Sequence, residues 1–227
     1  GARIHTHASE NPKELELVRA QRGDDNVAYL HSLGMTGNDV GLAHCVWLSH
    51  TEKALLRDTH THLLHCPSSN LKLASGVALV PELAKLGVRV SLGADGAPCN
   101  NNLDMFTEMR LAGLVHLPRV GADGIFAHQI VRMATMGGAH ALGQADRIGS
   151  LEETKRADIT VVDVSGPHVA PVESPYSALV YACRASDVRH VIVDGEIVVR
   201  DRALLTLDVP VLVEAAKKHA RSVFDRL

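Results

Sequence analysis

The strongest constraint on this chain is a regular alternation of short apolar runs with helix-patterned segments. "ARIHTH", "VGLAHC", "THLLHC" and "VRVSLGADG" read as strands. Between them, "PKELELVRAQRG", "DNVAYLHSLG", "SHTEKALLRDT" and "VALVPELAKLG" carry helical patterning. Ser49 followed three residues later by Glu52 is a capping-box signal, and Gly34 and Gly87 stand where helices stop. "LDMFTEMRLAGLVHL" and "IFAHQIVRMATMGGAHALG" extend the helical series. Strand and helix in alternation with short connections build parallel β/α units, whose strands are covered on both faces. Residues 1–146 are therefore expected to form one α/β unit.

The pattern changes after residue 146. "ADITVVDV" is a β-rich run, and "VRHVIVDGEIVVRD" reads as two strands joined at Asp194-Gly195, a strong hairpin signal. "VPVLVEAAKKHARSVFDRL" is an amphipathic helix with Pro210 near its start. Residues 147–227 are expected to form a small β domain with a packing helix.

Composition bounds the function classes. The 227 residues are 46% hydrophobic and 22% charged, with a net charge of −3. That suits a globular protein with a buried core and gives no reason for a nucleic-acid or membrane partner. Cys45, Cys66, Cys99 and Cys183 form no C-x-x-C pair, so reduced thiols and a cytoplasmic location are expected.

Chemistry concentrates at the carboxyl ends of the four strands, where parallel α/β folds place their sites. They end at His7, His44, His65 and Asp95, in steps of 37, 21 and 30 residues, each a reasonable length for one β/α unit. Imidazole and carboxylate together suit zinc, or iron or manganese where more positions are open. Glu10, just past His7, is placed to move protons without binding metal. His5 could pair with His7 as an H-x-H site, but it lies about 6–7 Å lower on the strand. It is expected to be a buried supporting residue. Alternation puts Leu42 and Leu63 on the face of His44 and His65, facing inward with Ser91 and Gly93, while Arg3 and Arg89 fit only the lower mouth. Trp47, Asn100, Asn101, Asn102, Ser68 and Asn70 are candidates for shaping a pocket, with Trp47 and Asn100 taken as substrate-binding residues.

Four stretches, "HTHASE", "GLAHCVWLS", "HCPSSNLKLASG" and "VSLGADGAPCNNNLDMFTEMRLAGL", resemble the amidohydrolase superfamily. The similarity is strongest to its metal-dependent nucleobase and nucleoside deaminases and chlorotriazine hydrolases. It spans about residues 3 to 140, and the tail follows the same family pattern. The resemblance implies a (β/α)8 TIM barrel of which this chain carries the C-terminal half, strands five to eight, followed by part of a small β-sandwich and a C-terminal helix. It implies His7 and His44 as metal ligands, and Asp95 as a ligand that also accepts the proton of the attacking water. It makes Glu10 the proton-shuttling acid and His65 a contact to the water or substrate. The family's strand-one H-x-H ligands have no counterpart here, so the missing N-terminal half or a homo-oligomer is the expected protein partner.

The expected reaction is hydrolytic deamination of a purine- or pyrimidine-type heterocycle, using one divalent metal, zinc before iron. Hydrolysis of a chloro- or alkylamino-triazine needs the same activated water and a different leaving group. An inactive half-barrel serving as a subunit or binding module is the alternative of another class.

Overall fold

The computed structural model describes residues 2–226. Four strands, β1 (Ile4–Ala8), β2 (Val40–His44), β3 (His62–His65) and β4 (Arg89–Leu92), form one parallel sheet in the order β1-β2-β3-β4. Helices at Pro12–Arg22, Asn26–Ser32, His50–Asp58 and Val80–Lys85 make the crossovers. The Ser49 capping box forms: the Ser49 hydroxyl accepts from the Glu52 N–H, and the Glu52 carboxylate accepts from the Ser49 N–H. Glu52 is also buried, and its second oxygen accepts from the Val27 N–H at 2.7 Å, tying two helices together.

One face of the sheet is packed and the other is bare. Val40, Leu42 and Leu63 join Val27, Leu56 and Leu83 in a buried cluster beneath the crossover helices. Fully burying side chains of this size contributes roughly 1.5–3 kcal/mol each. The expectation that Leu42 and Leu63 face inward with His7 is therefore wrong. Register explains why: His7 pairs with Ala43 and Ala43 with Leu64, whereas Leu42 pairs with Thr6 and Leu63. Paired residues in a parallel sheet share a face, so the bare side carries His5, His7, Gly41, Ala43, Leu64 and Ser91. His5 is exposed there, not buried as expected. Arg3 does take the lower end, donating to the carbonyls of Ala141 (2.8 Å) and Asn38 (2.6 Å).

After β4 and three further helices (Ala97–Asn100, Met105–Leu114, Leu117–Val120), a helix runs from Ala127 to Arg132, widens into a π-turn at Met133–Gly137, and resumes at Gly138–Ala141. Gly137 permits this close approach, because a Cβ there would lie 2.7 Å from the Val90 carbonyl oxygen.

A second sheet is antiparallel, in the order β5 (Ile159–Val162), β6 (Val188–Val193), β7 (Glu196–Arg200), β8 (Ala203–Leu204). The β6–β7 hairpin turns at Asp194 (φ 52°) and Gly195 (φ 86°), the left-handed pair that Asp-Gly favours. Between β5 and β6, Val180 returns to pack with Met109, Ala112 and Ile130 of the first unit. The expected C-terminal helix forms at Val209–Phe224, capped by Asp208. None of its residues is buried, and its large apolar side chains, among them Val211, Leu212 and Phe224, stay exposed. Leu227, the last residue of that predicted segment, lies outside them. No helix among them is long and apolar enough to cross a membrane.

Candidate metal centre and active site

His7 and Asp95 leave the ends of β1 and β4 on the bare face, with His7 Nε2 3.8 Å from Asp95 Oδ1. His44 reaches the same point by a different route. Its register partner is Ala8, on the packed side of β1. Left-handed backbone at His44 (φ 71°) and Cys45 (φ 48°) turns the chain at that point. Such conformations are costly for residues with a Cβ, and they cluster at functional sites. Here they are held by the Cys45 N–H on the Ala8 carbonyl and the Val46 and Trp47 N–H groups on the Ser9 carbonyl, all at 3.0 Å. The His7 and His44 rings stack with centroids 5.2 Å apart.

The structure thus brings His7, His44 and Asp95 together, each offering one ligand atom within 4.8 Å of the others. His44 is 1% exposed, and its Nε2 has no hydrogen-bond partner. A buried, unpartnered imidazole nitrogen calls for an explanation, and a metal ion is one. Two imidazoles and a carboxylate are a donor set that zinc accepts. Glu10 lies alongside, Oε2 3.9 Å from His44 Nε2.

The segment after β3 holds these groups. Its short helix, Pro67–Lys72, and the following turn arch over the site. Ser69 Oγ donates to Asp95 Oδ2 (2.5 Å), His44 Nδ1 meets Asn70 Oδ1 (2.8 Å), and Ser75 Oγ donates to Glu10 Oε1 (3.0 Å). The Glu10 N–H donates to the Glu14 carboxylate at 2.7 Å, which fixes the start of the loop. Burial pushes the Asp95 carboxyl up, but the Ser69 hydroxyl, the Gly96 N–H and the nearby histidines outweigh it and hold it below the ordinary carboxylate value. Beside the cluster lies a cavity of about 640 Å³, lined by His5, His7, Leu64, Cys66, Asp95 and Leu142 among others. Binding sites for small molecules fall in this size range.

Other expected residues lie elsewhere. His65 is buried, but its ring packs against His116 with centroids 5.6 Å apart, and it does not line the cavity. Trp47 lines a separate groove with Leu15, Leu48 and Leu79, and its indole N–H donates to the Ser75 carbonyl at 2.7 Å. Asn100 spends its amide on the Ala94 carbonyl and Glu108, and its oxygen accepts from the Asn102 and Leu103 N–H groups. Those contacts make it a loop clamp. Asn102 bonds Thr107, Asn101 meets Lys72, and the Ser68 N–H donates to buried Glu108. Sequence reasoning missed Ser69, Ser75 and Glu14. The only signal for the two serines was their place in "HCPSSNLKLASG".

A family model described as "Amidohydrolase family" matches residues 1–198. The chain belongs to the amidohydrolase family. Its curated relatives include the 5-methylthioadenosine/S-adenosylhomocysteine deaminase of Syntrophobacter fumaroxidans, 44% identical over 96% of this chain and 50% of that protein. Among solved structures, an adenosine deaminase from Xanthomonas campestris with bound zinc superposes with a TM-score of 0.95. It is 34% identical and covers 98% of this chain and 51% of that one. Atrazine chlorohydrolase from Arthrobacter aurescens, in complex with zinc, gives a TM-score of 0.88 at 27% identity, covering 96% of this chain and 48% of that one. This amidohydrolase chain therefore spans about half the length of the relatives it matches.

Proposed function

We propose that this chain is the C-terminal half, carrying part of the metal site, of an amidohydrolase that hydrolytically deaminates an adenine nucleoside altered at its 5′ carbon. The observation that carries this reading is the convergence of His7, His44 and Asp95, with Glu10 beside them. The names of the relatives point to the substrate class, and zinc in two solved neighbours points to the metal. The four parallel strands are read as strands five to eight of a (β/α)8 barrel. Residues 1–146 belong to that barrel, and residues 147–227 form the small β domain and terminal helix.

His7, His44 and Asp95 would hold the metal. When bound, it supplies a water of lowered pKa close to the cavity. Asp95, with one oxygen held by Ser69 and the other turned toward His7, would both help hold the metal and accept a proton from the attacking water. Glu10, with one oxygen fixed by Ser75, delivers a proton to the ring nitrogen of the heterocycle. Leu64, Ala43 and Leu142 give the cavity an apolar wall against which a purine can lie.

The test uses protein expressed from the complete gene. Zinc content and ammonia release are measured with adenosine, 5-methylthioadenosine and S-adenosylhomocysteine, with atrazine as the competing substrate. Ammonia from the adenine nucleosides supports the reading. Chloride release from atrazine alone replaces it with a triazine hydrolase, and metal-free, inactive protein replaces it with a non-catalytic subunit.

A further inference from the structure

A second cavity, also of about 640 Å³, lies at the opposite end of the parallel sheet from the metal cluster. His62 and Arg89 open β3 and β4, whose far ends lead to His65 and Asp95. Among the described residues this cavity shares no lining side chain with the one beside His7 and Asp95. Its charge is all of one sign. His62, Arg89, His128, Arg132 and His140 line it, and no carboxylate among the described residues does. Arg119 and Arg156 pair with acids, Glu82 and Asp194, but Arg89 and Arg132 have no such partner among the described residues. Neutral groups hold the cluster instead. Asn38 accepts from Arg89 through its side-chain oxygen and, through its carbonyl, from His62 Nε2 (3.2 Å) and Arg3 (2.6 Å). Positive charge is thus fixed in place without being neutralised. His62 feels that field: burial first, then Arg89, with Arg3 and His140 behind it, hold the ring down to about 4.

We propose that this cavity binds a phosphomonoester, an organic molecule bearing one terminal phosphate, at a site separate from the metal centre. Arg89 comes from the sheet, and Arg132 and His140 from the helical wall that widens at Met133–Gly137. π-turns of this kind are frequent at functional sites. A guanidinium fork matches phosphate oxygens, and donors from both sheet and helix suit a tetrahedral group better than a flat carboxylate. Further donors stand ready. The His128 and His140 rings line the cavity, and each carries an N–H in either neutral tautomer. The Gln129 oxygen accepts from the Phe126 N–H at 2.9 Å, which leaves the amide N–H groups for a ligand. Inorganic phosphate would leave most of the volume unused. Val88, Val90 and Met133 give the organic part an apolar wall.

Isothermal titration of protein expressed from the complete gene tests this, with ribose 5-phosphate as the probe and ribose and succinate as uncharged and dicarboxylate controls. Ribose 5-phosphate is expected to bind, more weakly as salt rises. Ribose should give no heat, and succinate should bind about 10-fold more weakly or worse. Arg89→Gln and Arg132→Gln each remove one charge at an exposed position and are expected to weaken phosphate binding about 10–100-fold. His7→Ala, which disturbs the metal cluster, is expected to bind the probe like wild type. No binding by the complete protein, equal affinity for ribose or succinate, or wild-type affinity in both arginine variants overturns the proposal. Binding lost in folded His7→Ala would place the ligand at the metal centre and overturn it too. If an arginine variant does not fold, the comparison of the three ligands on wild type and His7→Ala still decides.

Discussion

The ends of β2 and β3 make an instructive pair. Each strand finishes on a histidine that is 1% exposed, and the sequence gives no reason to separate them. At the end of β2, left-handed backbone re-aims His44 into a polar cluster where Asn70 and Glu10 wait. At the end of β3, the chain passes directly into the helix that starts at Pro67, and His65 stays against His116. All four ring nitrogens of that second pair lack a hydrogen-bond partner. Ending a strand on a histidine therefore does not by itself aim the ring at the His7–Asp95 cluster. The backbone must also turn it toward the bare face.

The largest expected effect tests the site that the β2 end serves. Glu10→Gln should retain zinc and lose about 10²–10⁴ in kcat, because it removes a proton carrier and leaves the ligands in place. A variant with near-normal kcat would remove Glu10 from the mechanism. The contrast between the two ends predicts that His65→Leu keeps its zinc and its turnover to within about threefold, since replacing an unpaired buried polar group by an apolar one of similar shape is close to neutral. Loss of zinc in that variant would break the comparison.

Acid should expose the β3 end. Burial pushes His65 down to about 3 and His116 down to about 4 from an ordinary value of 6.5. His62 falls to about 4, through burial and then the nearby Arg89 charge. Between pH 6.5 and these values the unfolded chain binds more protons than the folded one, so stability is complete above 6.5 and declines as pH falls. Urea midpoints measured from pH 7.5 to 4.5 should show that decline, and the His65→Leu, His116→Leu double variant should flatten it. A smaller effect is expected at the sheet's edge. Gly137→Ala places a Cβ against the Val90 carbonyl and should cost roughly 1–3 kcal/mol in a denaturant titration.

How far these regions could be read in advance follows from the same physics. The β/α alternation, the Ser49–Glu52 box and the Asp194-Gly195 turn are local signals, and local interactions produced them. The direction of β1 was also legible, because His5 and His7 alternate with the more buried Ile4, Thr6 and Ala8. β2 was not, since Gly41 and Ala43 on its cavity side are as apolar as Val40 and Leu42 on its packed side, and such a strand carries no polar–apolar alternation. The positive φ of His44 leaves no trace in a residue that is not glycine. The arch over the site was hidden for another reason: Ser69, Asn70 and Ser75 act across 26, 26 and 65 residues of chain, and composition says nothing about such contacts. The terminal helix was legible as a helix, but its expected packing depended on surfaces that the described residues do not offer.

The most direct test of the account is zinc stoichiometry in protein expressed from the complete gene, compared across His7→Ala, His44→Ala, Asp95→Ala and His65→Ala. The account predicts that the first three lose the metal at limiting zinc and the fourth retains it like wild type. Zinc lost from His65→Ala, or held equally by all four, would contradict it.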